Sequence, residues 1–378
     1  MAEIKVLHVY KTCFPYTQGG IEEVIRQLTI ETTKLGINNR IICLSRSCKK
    51  KEVIQIDGAE VHCYPLLFEI ASCGFSLQLF KDFKQQTEWA DIVQYHAPWP
   101  FADLMHIVCR IKTAAIITYH SDVIRQKILM RFYGPLMHLF LHRAEVIVAT
   151  SDNYLNSSKT LKKYKEKTRV IPLGIADFKS NAGDEHKEST TQLRDKWGES
   201  FFLFIGVLRY YKGLKYLLQA IQGADYLVLI AGTGPEFEKL KIQEKQLKLN
   251  NIHFLGFISE KEKHALLSLA KAVIFPSCER SEAYGMTLVE AAMHSRAMVS
   301  TELKTGTSFI NKNEETGFVV APKNAEQLKI AMDKLHSNEK LAKKMGLAAY
   351  LRYQKLLTSQ LMAKAYVSLY VEIIARSQ

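Results

Sequence analysis

The chain has no run of eighteen apolar residues, so no membrane-crossing helix is expected. It has no C-x-x-C pair and no zinc-ligand spacing among its seven cysteines. That odd, scattered set is read as the reduced thiols of a cytoplasmic protein. No charged-then-apolar leader precedes the first apolar run, so no signal peptide is expected. A D-x-D motif, a short internal repeat and a basic tail are also missing; the net charge of +13 is spread over both halves. Such a charge draws a protein to phosphates, whether of nucleotides, nucleic acid or an anionic membrane face, and a merely basic surface is an equally open reading. At 378 residues the chain exceeds a single core, which makes two domains the expectation. Its 47% hydrophobic and 24% charged residues are ordinary for a globular protein.

Short apolar runs alternate with helical stretches at residues 5–10, 40–44, 61–64, 91–96, 115–119, 145–150 and 169–172. This alternation predicts a parallel sheet wrapped by helices. Residues 176–200 turn to Ser, Thr, Asn, Asp, Glu and Lys without periodicity, which reads as a linker or surface excursion. A second alternating series follows at 201–206, 226–231, 252–255, 272–275, 298–301 and 318–320. The expected fold is therefore α/β, with two Rossmann-like doubly wound parallel-sheet domains. Ligands on such sheets bind at the carboxyl ends of strands, so the loops after strands hold the candidates.

The most informative stretch is Glu282-Ala283-Tyr284-Gly285-Met286-Thr287-Leu288-Val289-Glu290. It reads as the loop and helix that follow a buried strand. On one continuous helix, carboxylates eight residues apart would sit roughly 80° apart and about 12 Å along the axis. With Glu282 in the loop, both can face one cleft. The amides of Gly285, Met286 and Thr287 then point from a helix start at an anion. Glutamates near a helix start are also favoured by the helix dipole alone.

Several other stretches stand out. Gly19-Gly20 opens an amphipathic helix (Ile21, Val24, Ile25, Leu28); paired glycines let a backbone approach a phosphate, or simply make a tight turn. Two strands end in histidine, at His96 and His120, and Asp122 is placed to orient or charge His120. Arg209 and Lys212, after the first strand of the second series, are spaced to clamp a diphosphate. Residues 123–143 mix Arg125, Lys127, Arg131, His138, His142 and Arg143 with apolar residues, and Gly134-Pro135 is expected to split them into two helices. This segment suits an anionic membrane face or a core helix with a solvated basic edge. Gly232-Thr233-Gly234-Pro235 lacks the third glycine of a dinucleotide fingerprint, and Pro235 fits a helix start.

The nonapeptide resembles the E-x7-E motif of the retaining glycosyltransferases of family 4, which have the GT-B fold. It matches at both glutamates, at the small-aromatic-glycine triplet and at the following Ala291. The glycine pair, Lys212-Gly213, Gly232–Pro235 and the loop with Phe257 and Ile258 are similar to family landmarks. One departure stands: Val207 occupies the place where the family has Arg directly after Gly, and Arg209 comes two residues later. Tyr119-His120-Ser121-Asp122, Arg209–Gly213 and Gly306–Asn311 look like bacterial O-antigen mannosyltransferases.

The resemblance implies two domains facing a cleft: an acceptor-binding one at 1–175 with a terminal helix (357–378) crossing back, and a donor-binding one at 176–356. That helix is expected to run roughly from 342 to 375. The implied donor is GDP-mannose. The implied acceptor is a glycan on undecaprenyl diphosphate at the inner face of the cytoplasmic membrane, with peripheral contact to anionic lipid. His120, Glu282, Arg209 and Lys212 are the implied catalytic residues. Gly19, Gly20, Phe257, Ile258, Tyr284, Gly285, Met286, Thr287 and Glu290 join Glu282, Arg209 and Lys212 in binding the donor. His96, Asp122 and Arg125 are placed at the acceptor. No metal, other cofactor or nucleic acid is expected. Rival readings are transfer from a UDP- or dTDP-sugar, a GT-B nucleotide-sugar epimerase, and a non-catalytic binder of anionic lipid or nucleic acid.

Overall fold

Val, Ile, Leu and Phe predominate in the buried strands of both sheets, as parallel strands covered by helices require. The computed structural model describes residues 3–123, 127–178 and 184–377. It divides into two units: Met1–Ala176 with Ser359–Gln378, and Asp177–Thr358.

In the first unit an eight-stranded sheet comprises β1 (Ile4–Val9), β2 (Ile37–Ser45), β3 (Glu52–Ile56), β4 (Ala59–Pro65), β7 (Ile92–Ala97), β8 (Ala114–Tyr119), β9 (Val146–Ala149) and β10 (Thr168–Val170). β5 (Phe68–Ile70) and β6 (Cys73–Phe75) form a separate hairpin. The order across the sheet is β10-β9-β8-β7-β1-β2-β4-β3. Strand order therefore reverses between β1 and β7, which makes the crevice beyond their carboxyl ends the switch point. All pairings are parallel except the edge strand β3. β3 and β5 escape a periodicity reading because their residues are mostly exposed, and β6 because it is only three residues long. Helices α1 (Gly20–Lys34), α2 (Leu77–Glu88), α3 (Pro100–Val108), α4 (Lys127–Arg143) and α5 (Asp152–Ser157) connect the strands. α4 continues through Pro135 as one helix instead of ending there. The preceding Gly134 has no Cβ to clash with the proline ring, which removes part of the usual bar to helical backbone before proline.

The second unit begins with α6 (Asp184–Trp197), in the stretch expected to be a linker. Its sequence carries almost no apolar stripe, so a pattern search passes over it; it is held by packing on α9 (Glu260–Leu269). The sheet contains β11 (Phe202–Ile205), β12 (Val228–Ala231), β13 (Ile252–Gly256), β14 (Ala272–Phe275), β15 (Ala297–Thr301) and β16 (Gly317–Val320), in the order β13-β12-β11-β14-β15-β16. Its reversal lies between β11 and β14. The remaining helices are α7 (Leu214–Ala220), α8 (Phe237–Gln246), α10 (Met286–Met293), α11 (Gly306–Ile310), α12 (Ala325–Ser337) and α13 (Glu339–Leu356).

A single terminal helix over 342–375 does not form. α13 ends at Leu356, and α14 (Ser359–Ser377) belongs to the first unit. Leu357 leaves helical backbone with φ −126° and is fully buried, and the Ser359 amide donates to the Ile175 carbonyl (3.0 Å). α14 then packs on α1.

Candidate active site

In the second unit, two loops meet at the switch point because glycine lets them. Gly213 has φ +70°, and a Cβ there would lie 2.0 Å from the Pro276 carbonyl oxygen. Only glycine allows that approach. The contact is reinforced by the Cys278 amide, which donates to the Tyr211 carbonyl (2.7 Å). Lys212 is thereby delivered to Glu282: its Nζ lies 2.6 Å from Oε2, with both side chains about one-tenth exposed (12% and 11%). The Ser277 hydroxyl donates to the same Oε2 (3.0 Å). The second carboxylate oxygen has no protein partner among the described residues, leaving a positioned acceptor.

Gly285 follows with φ +96° and turns the chain into α10, whose start has no side-chain cap. The first-turn amides of a helix lack partners within it, so those around Met286 and Thr287 form an anion-favouring end beside the Lys212–Glu282 pair. The Thr287 hydroxyl donates to the Ile205 carbonyl at the end of β11 (3.4 Å). The Gly306 amide donates to the Ala283 carbonyl (2.9 Å), which lays the start of α11 against the same loop.

Glu290 lies on α10, one turn and more beyond. Its Oε1 accepts from Lys263 Nζ (2.6 Å), which also pairs with Glu260 (2.7 Å). Burial by itself lowers the Lys263 pKa, but the two carboxylates outweigh it and raise the value. Lys263 is a site-associated residue that sequence pattern did not reveal; a lysine three residues after Glu260 reads as an ordinary helix-surface pair. Arg209 is exposed and has no ion-pair partner among the described residues. Phe257, after β13, is 80% exposed, and Ile258 is half-buried. Tyr284 is buried. These residues share the carboxyl end of one sheet.

In the first unit the carboxyl end of the sheet carries a different set. Gly19 and Gly20 are exposed at the start of α1, where Glu22 Oε1 accepts from the Thr12 (2.8 Å) and Thr17 (3.2 Å) hydroxyls. His120 follows β8 and is 4% exposed. Asp122 does not orient or charge it: His120 Nε2 instead meets His96 Nδ1 at 3.0 Å. Asp122 accepts from the Tyr119 (3.1 Å) and Ser158 (2.8 Å) hydroxyls, and the His120 pKa is pushed down to about 3 by burial. His96 cannot touch an acceptor, because it is buried with both ring nitrogens engaged by other histidines. Arg125 lies outside the described residues. A basic cavity of about 440 Å³, lined by Arg110, Lys112 and Arg143, opens at the starts of β8 and β9, away from these loops.

Each unit thus has a doubly wound sheet, and in the second the lysine–glutamate pair and the uncapped helix start lie together at its switch point. Family comparisons define the class. The family described as Glycosyltransferase Family 4 matches residues 18–177, and Glycosyl transferases group 1 matches residues 186–352. The chain belongs to glycosyltransferase family 4 and has the GT-B fold. It is 45% identical over 360 residues to the D-rhamnosyltransferase WbpZ of Pseudomonas aeruginosa, covering 94% of this chain and 93% of that one. It is 40% identical over 371 residues to the O-antigen chain mannosyltransferase C of Escherichia coli, covering 98% and 99%. Among solved structures, sucrose-phosphate synthase from Thermosynechococcus elongatus superposes with a TM-score of 0.79 at 18% identity, covering 99% of this chain and 100% of that one. Anabaena HepE in complex with UDP and glucose gives 0.75 at 14%, covering 98% and 100%.

Proposed function

We propose that this glycosyltransferase is a retaining α-mannosyltransferase. It moves mannose from GDP-mannose to a glycan on undecaprenyl diphosphate during O-antigen synthesis. The observation that carries the reading is the Lys212–Glu282 pair beside the uncapped start of α10. Lys212, with the exposed Arg209, stabilises the departing diphosphate as it gains charge, and the α10 amides add to that field. Glu282 accepts hydrogen bonds from the donor sugar through its open oxygen, and Glu290 does so from the ribose. Gly285, Met286, Thr287 and Tyr284 line the diphosphate and sugar, and the Phe257–Ile258 loop takes the nucleobase. His120 meets a substrate hydroxyl, and Gly19-Gly20 leave backbone room for it. Both glutamates of the stretch are given to binding, Glu282 to the sugar and Glu290 to the ribose, so attack proceeds on the face the nucleotide leaves, through an oxocarbenium-like state. The mechanism requires no metal.

Mannose as the sugar is supported by end-to-end similarity to the O-antigen chain mannosyltransferase C. The similarity to WbpZ favours a second reading, D-rhamnose, which is mannose lacking its 6-hydroxyl. Peripheral contact with the inner face of the cytoplasmic membrane is supported by α4, where exposed Leu129, Phe132 and Leu139 accompany Arg131 and Arg143.

The test is thermal stability of the purified protein with GDP, UDP, dTDP and ADP, since binding to the folded state raises the midpoint. It is followed by transfer assays with GDP-mannose and GDP-D-rhamnose on a mannose-terminated lipid-linked acceptor. A shift with GDP and an α-mannosyl product are expected. A shift with UDP or dTDP alone overturns mannose, transfer from GDP-D-rhamnose alone selects the second reading, and no shift overturns the donor site.

A further inference from the structure

One face of the first unit's sheet carries a continuous line of hydrogen-bonded side chains across three strands to the residue that follows a fourth. Thr32 on α1 donates its single hydroxyl proton to the Leu28 carbonyl (2.8 Å). It can therefore only accept from Asn39 Nδ2 on β2 (3.0 Å). The same Nδ2 faces the Thr29 and Ile37 carbonyls (3.3 and 3.4 Å), which are acceptors only. The Asn39 amide is thus fixed with Oδ1 turned towards His8 Nε2 on β1 (3.1 Å). His8 Nδ1 meets His96 Nε2 on β7 (3.3 Å), and His96 Nδ1 meets His120 Nε2 (3.0 Å). The rings are stacked, at interplanar angles of 27° and 17°. The line crosses the β1–β7 switch point and ends at His120.

A neutral imidazole has one donor and one acceptor nitrogen, so each ring dictates the next. Asn39 Oδ1 accepts, so His8 carries its proton on Nε2 and accepts at Nδ1. His96 must then be protonated on Nε2 and accept at Nδ1. His120 must be protonated on Nε2 as well. Its Nδ1 has no protein partner among the described residues, and it is left as a bare lone pair. Full burial disfavours the imidazolium at all three rings, which keeps this one-proton-per-ring arrangement intact.

We propose that Asn39, His8 and His96 are positioning residues that hold His120 in its Nε2-protonated tautomer, so that Nδ1 accepts a hydrogen bond from a substrate hydroxyl. His120 then selects a ligand group that donates, and a carbonyl or phosphate oxygen at that place is rejected. The substrate contact rests on the glycosyltransferase reading above; the tautomer order does not.

Long-range proton–nitrogen correlation spectra of the full chain, labelled at histidine, read the tautomer directly and need no substrate. Pyrrole-type Nε2 and pyridine-type Nδ1 are expected at His8, His96 and His120. A protonated Nδ1 at His120 overturns the proposal whatever the enzyme's activity. His8→Phe removes the acceptor of His96 and frees the ladder. The expected result is mixed tautomers at His120 and turnover lower by about tenfold, the worth of one misdirected hydrogen bond, with the donor KM within about twofold. An unchanged His120 spectrum in a folded His8→Phe protein also overturns the ladder. If that variant does not fold, the wild-type spectrum decides. His120→Ala with normal transfer overturns the substrate contact alone.

Discussion

Replacing Lys212 by methionine separates a structural from a catalytic use of its charge. The ammonium lies 2.6 Å from Glu282 Oε2, where two unit charges attract by about 6 kcal/mol at an effective dielectric constant of about 20, before desolvation is counted. Cutting one partner of a buried pair typically costs about 3–5 kcal/mol. Here both side chains keep some exposure and Ser277 still donates to Glu282, so a loss of about 2–3 kcal/mol is expected by urea unfolding. In turnover, a charge-assisted contact to the departing diphosphate is worth about 1.5–3 kcal/mol, or roughly ten- to 150-fold in kcat/KM. The double variant Lys212→Met/Glu282→Gln removes both charges together. Its stability should return to within about 1 kcal/mol of the parent, while transfer stays low. Near-normal kcat/KM in Lys212→Met, or activity that returns with stability in the double variant, would refute a role for Lys212 at the phosphate.

Gly213→Ala puts a Cβ against the Pro276 carbonyl at a positive φ; loss of both stability and donor binding is expected, measured by unfolding and nucleotide titration. Glu282→Ala should keep the fold by circular dichroism and greatly reduce transfer, whereas Glu290→Gln should mainly raise the donor KM. His8 is neutral in the folded state, with its pKa pushed down to about 4 by burial despite the Asn39 hydrogen bond, against 6.5 when exposed. Because the unfolded chain then binds more protons, stability is fully present above pH 6.5 and falls as the pH drops towards 4. Urea unfolding at stepped pH should show that slope, shallower in His8→Phe; identical slopes would remove His8 from the acid limb. Phe132→Glu should weaken co-sedimentation with anionic vesicles without changing transfer to a soluble acceptor analogue, and unchanged sedimentation would take α4 out of the membrane contact.

Much of the architecture is local information. The alternation of apolar runs and helical stretches determines two doubly wound sheets, since each strand's burial is written in its own residues. The Glu282–Glu290 stretch likewise carries its strand-loop-helix form and the glycine that starts α10, and the Lys212-Gly213 pair marks its loop. Local pattern was silent or misleading where stability comes from distant packing. α6 reads as a linker because it has no apolar stripe of its own, β3 and β5 are mostly exposed, and α4 passes through a proline that sequence reads as a break. His120 shows the difference at the site. From sequence its natural partner was Asp122, two residues away, but the folded chain gives it His96, 24 residues away, and through His96 the ring of His8, a further 88 residues back. Likewise nothing local pairs Lys212 with Glu282 or Lys263 with Glu290. The sequence alone determined which residue types stand at the carboxyl ends of which strands. Strand order, a property of the whole sheet, decided which of them touch, and burial decided that the histidines stay neutral and each pass a direction to the next.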